Sequence, residues 1–132
     1  MAEIHSRMAT IDDARLIAQH RHRMFADADG GTADSRAEMD KHFPGWLARH
    51  QADGSYLHWF ACDGEKIIAG AGLWLMDWAP GFNGFDGYLP YILNVYTEPD
   101  YRKQGLARQL VNDTLQYCRD EGYPKVRLHA SI

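Results

Sequence analysis

The stretch "YTEPDYRKQGLARQLVND", from Tyr96 to Asp113, decides how the fold of this sequence is interpreted. It places Arg102, Lys103 and Gly105 directly before a segment whose apolar residues recur at helical spacing. The first N–H groups of a helix have no acceptor inside the helix, and the helix dipole adds partial positive charge there. Phosphate groups bind well at such a helix start, and glycine lets them come close. We therefore expect an anion-binding loop in front of this helix.

A purely structural interpretation of the same loop is also open. Gly105 and Ala107 would then permit close packing at a helix start, and Arg102 and Lys103 would form a solvated turn.

The Walker pattern is absent, which disfavours a nucleoside triphosphate. "GAG" at Gly70–Gly72 lies inside a predicted strand and precedes no helix, so it is not a dinucleotide fingerprint.

Length and composition indicate one compact domain over residues 1–132. With 45% hydrophobic and 24% charged residues the chain is globular, and its net charge of −4 argues against general nucleic-acid binding. No signal peptide and no run of about 18 apolar residues is found, so we expect no membrane segment and a cytoplasmic location. Cys62 and Cys118 are predicted to be buried thiols of a reduced compartment, with a single disulfide as the alternative.

Hydrophobic periodicity predicts the element order β-α-α-β-β-β-α-β. Predicted strands cover residues 3–10, 55–63, 67–78, 91–97 and 125–131; predicted helices cover 11–25, 32–50 and the segment after Gly105. Thr10 with Asp13 forms an expected capping box, and Gly122 is expected to end the last helix. Pro44 is expected to break or kink the second helix. The small residues 69–72 predict a bend in the third strand or a close backbone approach to it.

The run "VYTEPDYRKQGLARQLV" resembles the acyl-CoA-binding motif of the GNAT superfamily of N-acyltransferases. The family pattern is Gln or Arg, two residues, Gly, one residue, then Gly or Ala, and Arg102, Gly105 and Ala107 meet it. The resemblance is specific between Leu93 and Val111 and looser over the rest of the chain. It implies an α+β fold, an α/β sandwich whose mixed, mostly antiparallel central sheet is flanked by helices.

The resemblance also assigns expected roles to residues. The loop amides would hold the pyrophosphate of coenzyme A, and the preceding strand would bind the pantetheine arm. The Val95 N–H would polarise the thioester carbonyl. These cofactor roles carry over to Val95, Tyr96, Thr97, Arg102, Lys103, Gln104, Gly105, Leu106, Ala107 and Arg108.

Two departures from the family leave the general acid and base unassigned. Some members carry a glutamate base where this chain has Tyr91. The family normally continues with another helix and two strands, in a region that often holds a tyrosine acid. We therefore expect this chain to be a C-terminally short acyl-CoA N-acyltransferase domain.

The acceptor site is expected in an aromatic and acidic pocket. Its candidate residues are Trp74, Asp77, Trp78, Phe82, Phe85, Asp86 and Tyr91. The alternative is that the tryptophans are core residues and the aspartates are solvated. The seven histidines show no zinc-ligand spacing, so no metal is expected. His58 and His129 are each open to a role as a base or as a packed side chain.

The leading hypothesis is an acetyl-CoA-dependent N-acetyltransferase that moves an acetyl group to a primary amine of a small molecule or peptide by direct attack. A non-catalytic acyl-CoA binding or interaction module is the alternative, and a phosphate-binding domain for another nucleotide is a third. The expected partners are acetyl-CoA and an amine acceptor, with neither nucleic acid nor membrane. A monomer and a homodimer both remain open.

Overall fold

The structure, a computed structural model, describes residues 3–81 and 86–128. Its strands are β1 (Ile4–Met8), β2 (Tyr56–Asp63), β3 (Lys66–Asp77), β4 (Tyr88–Thr97) and β5 (Arg127–Leu128). Its helices are α1 (Ala14–Asp27), α2 (Ala33–Ala52) and α3 (Leu106–Asp120), with short 3₁₀ turns at Ile11–Asp13 and Pro99–Tyr101. The predicted element order is confirmed.

These strands form one sheet in the order β1-β2-β3-β4-β5. The pairings β1–β2, β2–β3 and β3–β4 are antiparallel, whereas β4 and β5 pair in parallel. One apolar cluster packs α1 and α2 on one face of the sheet, and a second packs α3 on the other face. The predicted mixed, mostly antiparallel sheet flanked by helices is confirmed.

The predicted helix ends depend on local side chains and are confirmed. The Thr10 N–H donates to Asp13 Oδ2 at 2.8 Å, which completes the capping box before α1. Gly122 follows the C-terminal cap of α3 with a φ of 82°, the left-handed conformation that glycine tolerates best.

Of the two outcomes predicted for Pro44, the break in the second helix is wrong and the kink stays a prediction. Pro44 lies inside α2, which runs without interruption from Ala33 to Ala52. An internal proline costs about 3 kcal/mol, because it removes a hydrogen bond and crowds the preceding turn. Phe43 and Leu47 are buried on either side of it in the cluster against the sheet, and their burial offsets this cost.

The two cysteines are free thiols, so the disulfide alternative is wrong. Cys62 is buried with α1 and α2, and Cys118 is buried with α3 on the opposite face of the sheet. Burial raises the pKa of the Cys118 thiol to about 11.

Strand β4 begins at Tyr88, three residues earlier than predicted, and β5 is described only at Arg127 and Leu128. Lys125 and Val126, the first residues of the last predicted strand, are described and precede β5. The part of that strand from His129 onward lies outside the described residues, as do Phe82 and Phe85. Among the residues that are described, no helix is both long and apolar enough to cross a membrane.

Candidate functional site

Two glycines of β3 make room for side chains of β2. A Cβ atom at Gly70 would lie 2.6 Å from His58 Nε2, and one at Gly72 would overlap the Tyr56 hydroxyl. Close approach therefore does occur within residues 69–72, but the neighbours are the Tyr56 and His58 side chains lying across β3 rather than the backbone that was expected there.

A β-bulge interrupts β4 opposite these glycines. Gly70 pairs with Tyr96 and Gly72 pairs with Leu93, so two residues of β4, Asn94 and Val95, oppose one residue of β3. Asn94 has a φ of 58°, a conformation that asparagine adopts more readily than most residues. The extra residue of a bulge is left out of the hydrogen-bond ladder, and bulges are common beside active sites.

A chain of hydrogen bonds fixes the bulge. Arg21 Nη1 in α1 donates to Asn94 Oδ1 at 2.6 Å, and Asn94 Nδ2 donates to Tyr56 Oη at 2.9 Å. Since the Tyr56 hydroxyl already accepts a hydrogen bond from Asn94, we infer that its own proton is donated to His58 Nδ1, 2.8 Å away. His58 is then neutral, with its proton on Nε2.

The buried part of this chain does not supply a general base. Burial raises the pKa of Tyr56, whereas burial and the nearby His20 lower the pKa of His58 to about 3. Both side chains are 2% exposed, so water does not reach them readily. Of the two interpretations of His58, the packed histidine is the one that the structure supports.

A cavity of about 430 Å³, here called the anion cavity, lies between the end of α1, the end of β4 and the start of α3. Every predicted cofactor residue except Gln104 lines it: Val95, Tyr96, Thr97, Arg102, Lys103, Gly105, Leu106, Ala107 and Arg108. Four further residues complete its wall, namely Met24, Asp27, Ala28 and Tyr101. Met24 and Asp27 belong to α1 and Ala28 is its C-terminal cap, about 70 positions earlier in the chain, where no local motif indicates them.

The loop backbone turns sharply before α3. Lys103 has a φ of 65°, and Gly105, the N-terminal cap, has a φ of 80°. A Cβ atom at Gly105 would meet no atom within 4 Å, so this position faces open space. The first turn of α3, which begins at Leu106, therefore offers its free N–H groups beside a cavity rather than to packed protein.

The charge around the anion cavity is positive on balance. Arg102, Lys103 and Arg108 line it, with Asp27 as the acidic lining residue among the described ones. Arg102 Nη2 contacts Asp27 Oδ2 at 2.6 Å, and Arg102 Nε donates to the Thr97 carbonyl at 2.9 Å. Because both partners of this ion pair are exposed, it adds at most about 1 kcal/mol of stability, so its main effect is to place the guanidinium at the cavity mouth.

A second cavity of about 330 Å³, here called the aromatic cavity, lies between α1, α2 and the middle of the sheet. Its lining residues are Arg21, Met39, His42, Phe43, Trp46, Trp74 and Leu93. The two cavities are neighbours along β4, since Leu93 lines one and Val95 lines the other.

Of the predicted acceptor residues that the structure describes, only Trp74 lines the aromatic cavity. Asp77 is exposed at the end of β3, and Trp78 is 52% exposed with its ring 5.7 Å from the Arg127 guanidinium. Tyr91 is half-buried beside Trp74 and Arg127, and the Asp86 carboxylate accepts the Tyr88 N–H. Alternation along β3 turns residues 74 and 77 to opposite faces, which separates the two types of candidate.

The ligand types that metals require do not cluster in the described part of the chain. Within residues 3–81 and 86–128, no group of three or more His, Cys, Asp or Glu residues is arranged to hold a metal ion. The absence of a metal requirement stays a prediction.

Comparison with known proteins identifies the class. The sequence model of the acetyltransferase (GNAT) family matches residues 14–132, so the chain belongs to this family. A GCN5-related N-acetyltransferase from Ralstonia eutropha JMP134 is 34% identical, with a TM-score of 0.90 over 97% of this chain and 84% of that one. The search of curated proteins gives no match.

Two other solved structures show the range of the likeness. A predicted acetyltransferase from Clostridium acetobutylicum, solved with acetyl-CoA, is 26% identical, with a TM-score of 0.88 over 98% of this chain and 82% of that one. Glucosamine-6-phosphate N-acetyltransferase from Arabidopsis thaliana is 18% identical, with a TM-score of 0.67 over 98% of this chain and 84% of that one, and shows the fold alone. Family membership implies acyl transfer from an acyl-CoA to an acceptor.

Proposed function

We propose that this protein is an N-acetyltransferase that moves an acetyl group from acetyl-CoA to a primary amine of a small molecule or peptide. The main observation behind this proposal is the anion cavity, which is lined by the start of α3, three cationic side chains and the end of β4. An elongated ligand with a phosphate group at one end and an acylated arm at the other suits this arrangement. The two buried free thiols support a cytoplasmic location as part of the same proposal.

In this proposal the pyrophosphate binds at the first turn of α3. Its N–H groups and the helix dipole favour an anion, and Arg102, Lys103 and Arg108 add full charges. Gly105 suits the role, because its open side leaves room for the phosphate oxygens. The pantetheine arm then extends along β4 past Thr97 and Tyr96 toward Val95.

The bulge supports the proposed oxyanion role of Val95. Asn94 and Val95 have no paired residue in β3, so the backbone there departs from the regular ladder. A preorganised N–H donor at the thioester carbonyl stabilises the negative charge that develops on oxygen when the amine attacks. The C–N bond forms, the C–S bond breaks, and the coenzyme A thiolate takes up a proton.

Ligand binding is tested first by thermal unfolding with acetyl-CoA, coenzyme A, ATP or no ligand. A ligand at 100 times its Kd stabilises the folded state by about 2.7 kcal/mol, which corresponds to a Tm increase of roughly 5–10 °C for a domain of this size. Acetyl-CoA and coenzyme A are expected to raise the Tm, and ATP is not. No shift with any of them would contradict the proposed cavity assignment.

Catalysis is tested by thiol release from acetyl-CoA over a panel of amines, with mass spectrometry to detect the N-acetyl product. Amine-dependent release supports the enzyme. Binding of acetyl-CoA without turnover of any amine would instead favour the non-catalytic acyl-CoA module.

A further inference from the structure

The Arg21 guanidinium occupies an unusual place in the wall of the aromatic cavity. It is half-buried, and its central carbon lies 5.0 Å from the centre of the Phe25 ring and 4.8 Å from that of the Phe43 ring. The hydrogen bond to Asn94 Oδ1 uses one of its five N–H groups. Arg21 Nε is buried and has no hydrogen-bond partner among the described residues.

No described carboxylate neutralises this charge. The ion pairs of residues 3–81 and 86–128 do not include Arg21, and no acidic side chain is among the described residues that line the aromatic cavity. Burial lowers the pKa of Arg21, but arginine remains charged at neutral pH. Burying a cation without a counter-ion is costly, and stacking on aromatic rings offsets only part of that cost.

Apart from Arg21 and the exposed His42, whose Nε2 lies 3.6 Å from Glu38 Oε2, the lining of the cavity is apolar and aromatic. The Trp46 and Trp74 rings meet edge to face with centres 5.2 Å apart, and Phe43 stacks on Trp46 at 5.7 Å. A volume of about 330 Å³ suits a small molecule. An aromatic pocket without acidic groups, and with one cation in its wall, repels polyamines and attracts molecules that combine an apolar part with negative charge.

We infer that the acceptor is a small amine that also carries an anionic group, a carboxylate or a phosphate, and that Arg21 binds this group in the aromatic cavity. The inference rests on the proposed N-acetyltransferase function and specifies its substrate class. Amino acids with apolar or aromatic side chains fit both the cation and the rings.

The position of Arg21 suits an acceptor that must reach the thioester. Arg21 contacts Asn94, the residue before Val95, whose N–H is the proposed donor to the thioester oxygen. Leu93 lines the aromatic cavity and Val95, two positions further along β4, lines the anion cavity, so an anion held at Arg21 keeps the rest of a small acceptor near this part of β4. The free amine of that acceptor is then within a few bonds of the anionic group.

The test compares amines that differ only in their anionic group. L-Phenylalanine is paired with its amide and with 2-phenylethylamine, and O-phosphoethanolamine is paired with ethanolamine, so that carboxylate and phosphate are tested separately. Thiol release from acetyl-CoA gives kcat/KM for each amine. The anionic member of at least one pair is expected to react about 10- to 100-fold better than its neutral partners, the range for a hydrogen bond to a charged group.

Arg21→Met is expected to remove this preference. It should lower kcat/KM for the anionic amine at least about 10-fold more than that of the neutral partner, because loss of the Asn94 hydrogen bond affects both amines whereas loss of the anion contact affects only one. Arg21→Lys keeps the charge and should retain part of the preference. Arg49→Met makes the same chemical change on an exposed part of α2 that lines neither cavity and should leave both rates unchanged.

A binding measurement separates failure of this inference from failure of the proposed function. With the protein saturated by coenzyme A, tryptophan fluorescence reports ligands entering the aromatic cavity, because two of the four tryptophans, Trp46 and Trp74, line it. Circular dichroism confirms that each variant is folded. Quenching by the anionic amines in the wild type, lost in Arg21→Met, supports the inference even without turnover. Turnover of neutral amines without an Arg21-dependent preference for anionic amines overturns this inference and leaves the proposed function standing. Absence of both quenching and turnover with every anionic amine also overturns the inference.

Discussion

Arg21 donates a 2.6 Å hydrogen bond to the Asn94 side chain, which ties helix α1 to the bulge of β4. The two residues are 73 positions apart in the sequence, and Asn94 is also bonded to Tyr56 of β2. A single asparagine thus joins one helix to two strands, between Leu93 of the aromatic cavity and Val95 of the anion cavity.

Replacing Asn94 should separate the two reasons for an asparagine at this position. Asn94→Gly keeps the left-handed backbone accessible but removes both side-chain hydrogen bonds, for an expected loss of about 2–3 kcal/mol in the free energy of unfolding. Asn94→Ala should lose about 1–2 kcal/mol more, because its Cβ disfavours a φ of 58°. Urea denaturation measures both losses, and equal losses would show that the bulge conformation does not require this residue.

Gly105 and Gly122 form a matched pair at the two ends of α3. Their φ values are 80° and 82°, and a Cβ atom at either position meets no atom within 4 Å. Alanine at either position should therefore cost a similar amount of stability, about 1–2 kcal/mol.

Only the variant at the N-terminal end should affect ligand binding. Gly105→Asp places a carboxylate where the pyrophosphate is proposed to bind and should abolish the thermal shift caused by acetyl-CoA. Gly122→Asp should keep that shift in full. Binding that survives Gly105→Asp unaltered would remove the loop from the cofactor site.

Gly72 is expected to be intolerant of any side chain. Its Cβ would overlap the Tyr56 hydroxyl, so Gly72→Ala should lower the free energy of unfolding by about 3 kcal/mol. Gly45→Ala is the control: its Cβ would meet Arg49 Nη1 at 3.9 Å, an ordinary contact, and the change should stabilise the protein by about 0.5–1 kcal/mol.

A double variant checks the cause of the Gly72 effect. Tyr56→Phe removes the overlapping oxygen, so adding it to Gly72→Ala should recover part of the loss. Strict additivity of the two changes would mean that the clash lies elsewhere.

Two buried histidines predict acid sensitivity. Burial, with Arg23 nearby, lowers the pKa of His20 to about 4, and burial lowers that of His58 to about 3. Glu98 Oε1 lies 3.7 Å from His20 Nε2, beyond hydrogen-bond distance, and it accepts a hydrogen bond from Arg23. Burial therefore dominates at His20.

The sign of the effect follows from proton uptake on unfolding. Both pKa values are lower in the folded state than the ordinary value of 6.5, so the unfolded state binds more protons below about pH 6.5. The stability that these two neutral histidines contribute is complete above about pH 6.5 and is lost as the pH falls toward 4 and then 3. At pH 5 the expected loss in the free energy of unfolding is about 2 kcal/mol per histidine. Urea denaturation at pH 7.5, 6 and 5 measures it. His20→Leu should flatten the profile, and a free energy that stays constant down to pH 5 contradicts the prediction.

What could be predicted from the sequence was local. Residues 102–108 and α3 lie in one continuous stretch, so charge, glycine and periodicity together indicate an anion loop and its helix. The Thr10 capping box and the end of α3 at Gly122 follow from neighbouring residues in the same way.

What could not be predicted depends on pairing between distant segments. The Asn94 bulge exists because Arg21 and Tyr56 bind its side chain, and the sequence offers only one sign of it, a polar residue inside the β-prone run "YILNVYT". The break expected at Pro44 was wrong because tertiary packing of Phe43 and Leu47 outweighs a local rule. The part that α1 plays in the anion cavity is likewise set by the fold.

Strand β4 lines both the anion cavity and the aromatic cavity, and this has a thermodynamic consequence. A ligand that draws the Arg21 guanidinium toward itself changes the hydrogen bond that fixes Asn94, and with it the backbone that presents Val95 to the other cavity. The resulting interaction energy is shared by the two binding events. Each ligand must therefore change the affinity for the other by the same factor. If an acceptor analogue tightens coenzyme A binding fivefold, coenzyme A tightens binding of that analogue fivefold. A pair of titrations, each run with the other ligand absent and then saturating, therefore measures how strongly one side-chain contact couples the two substrates.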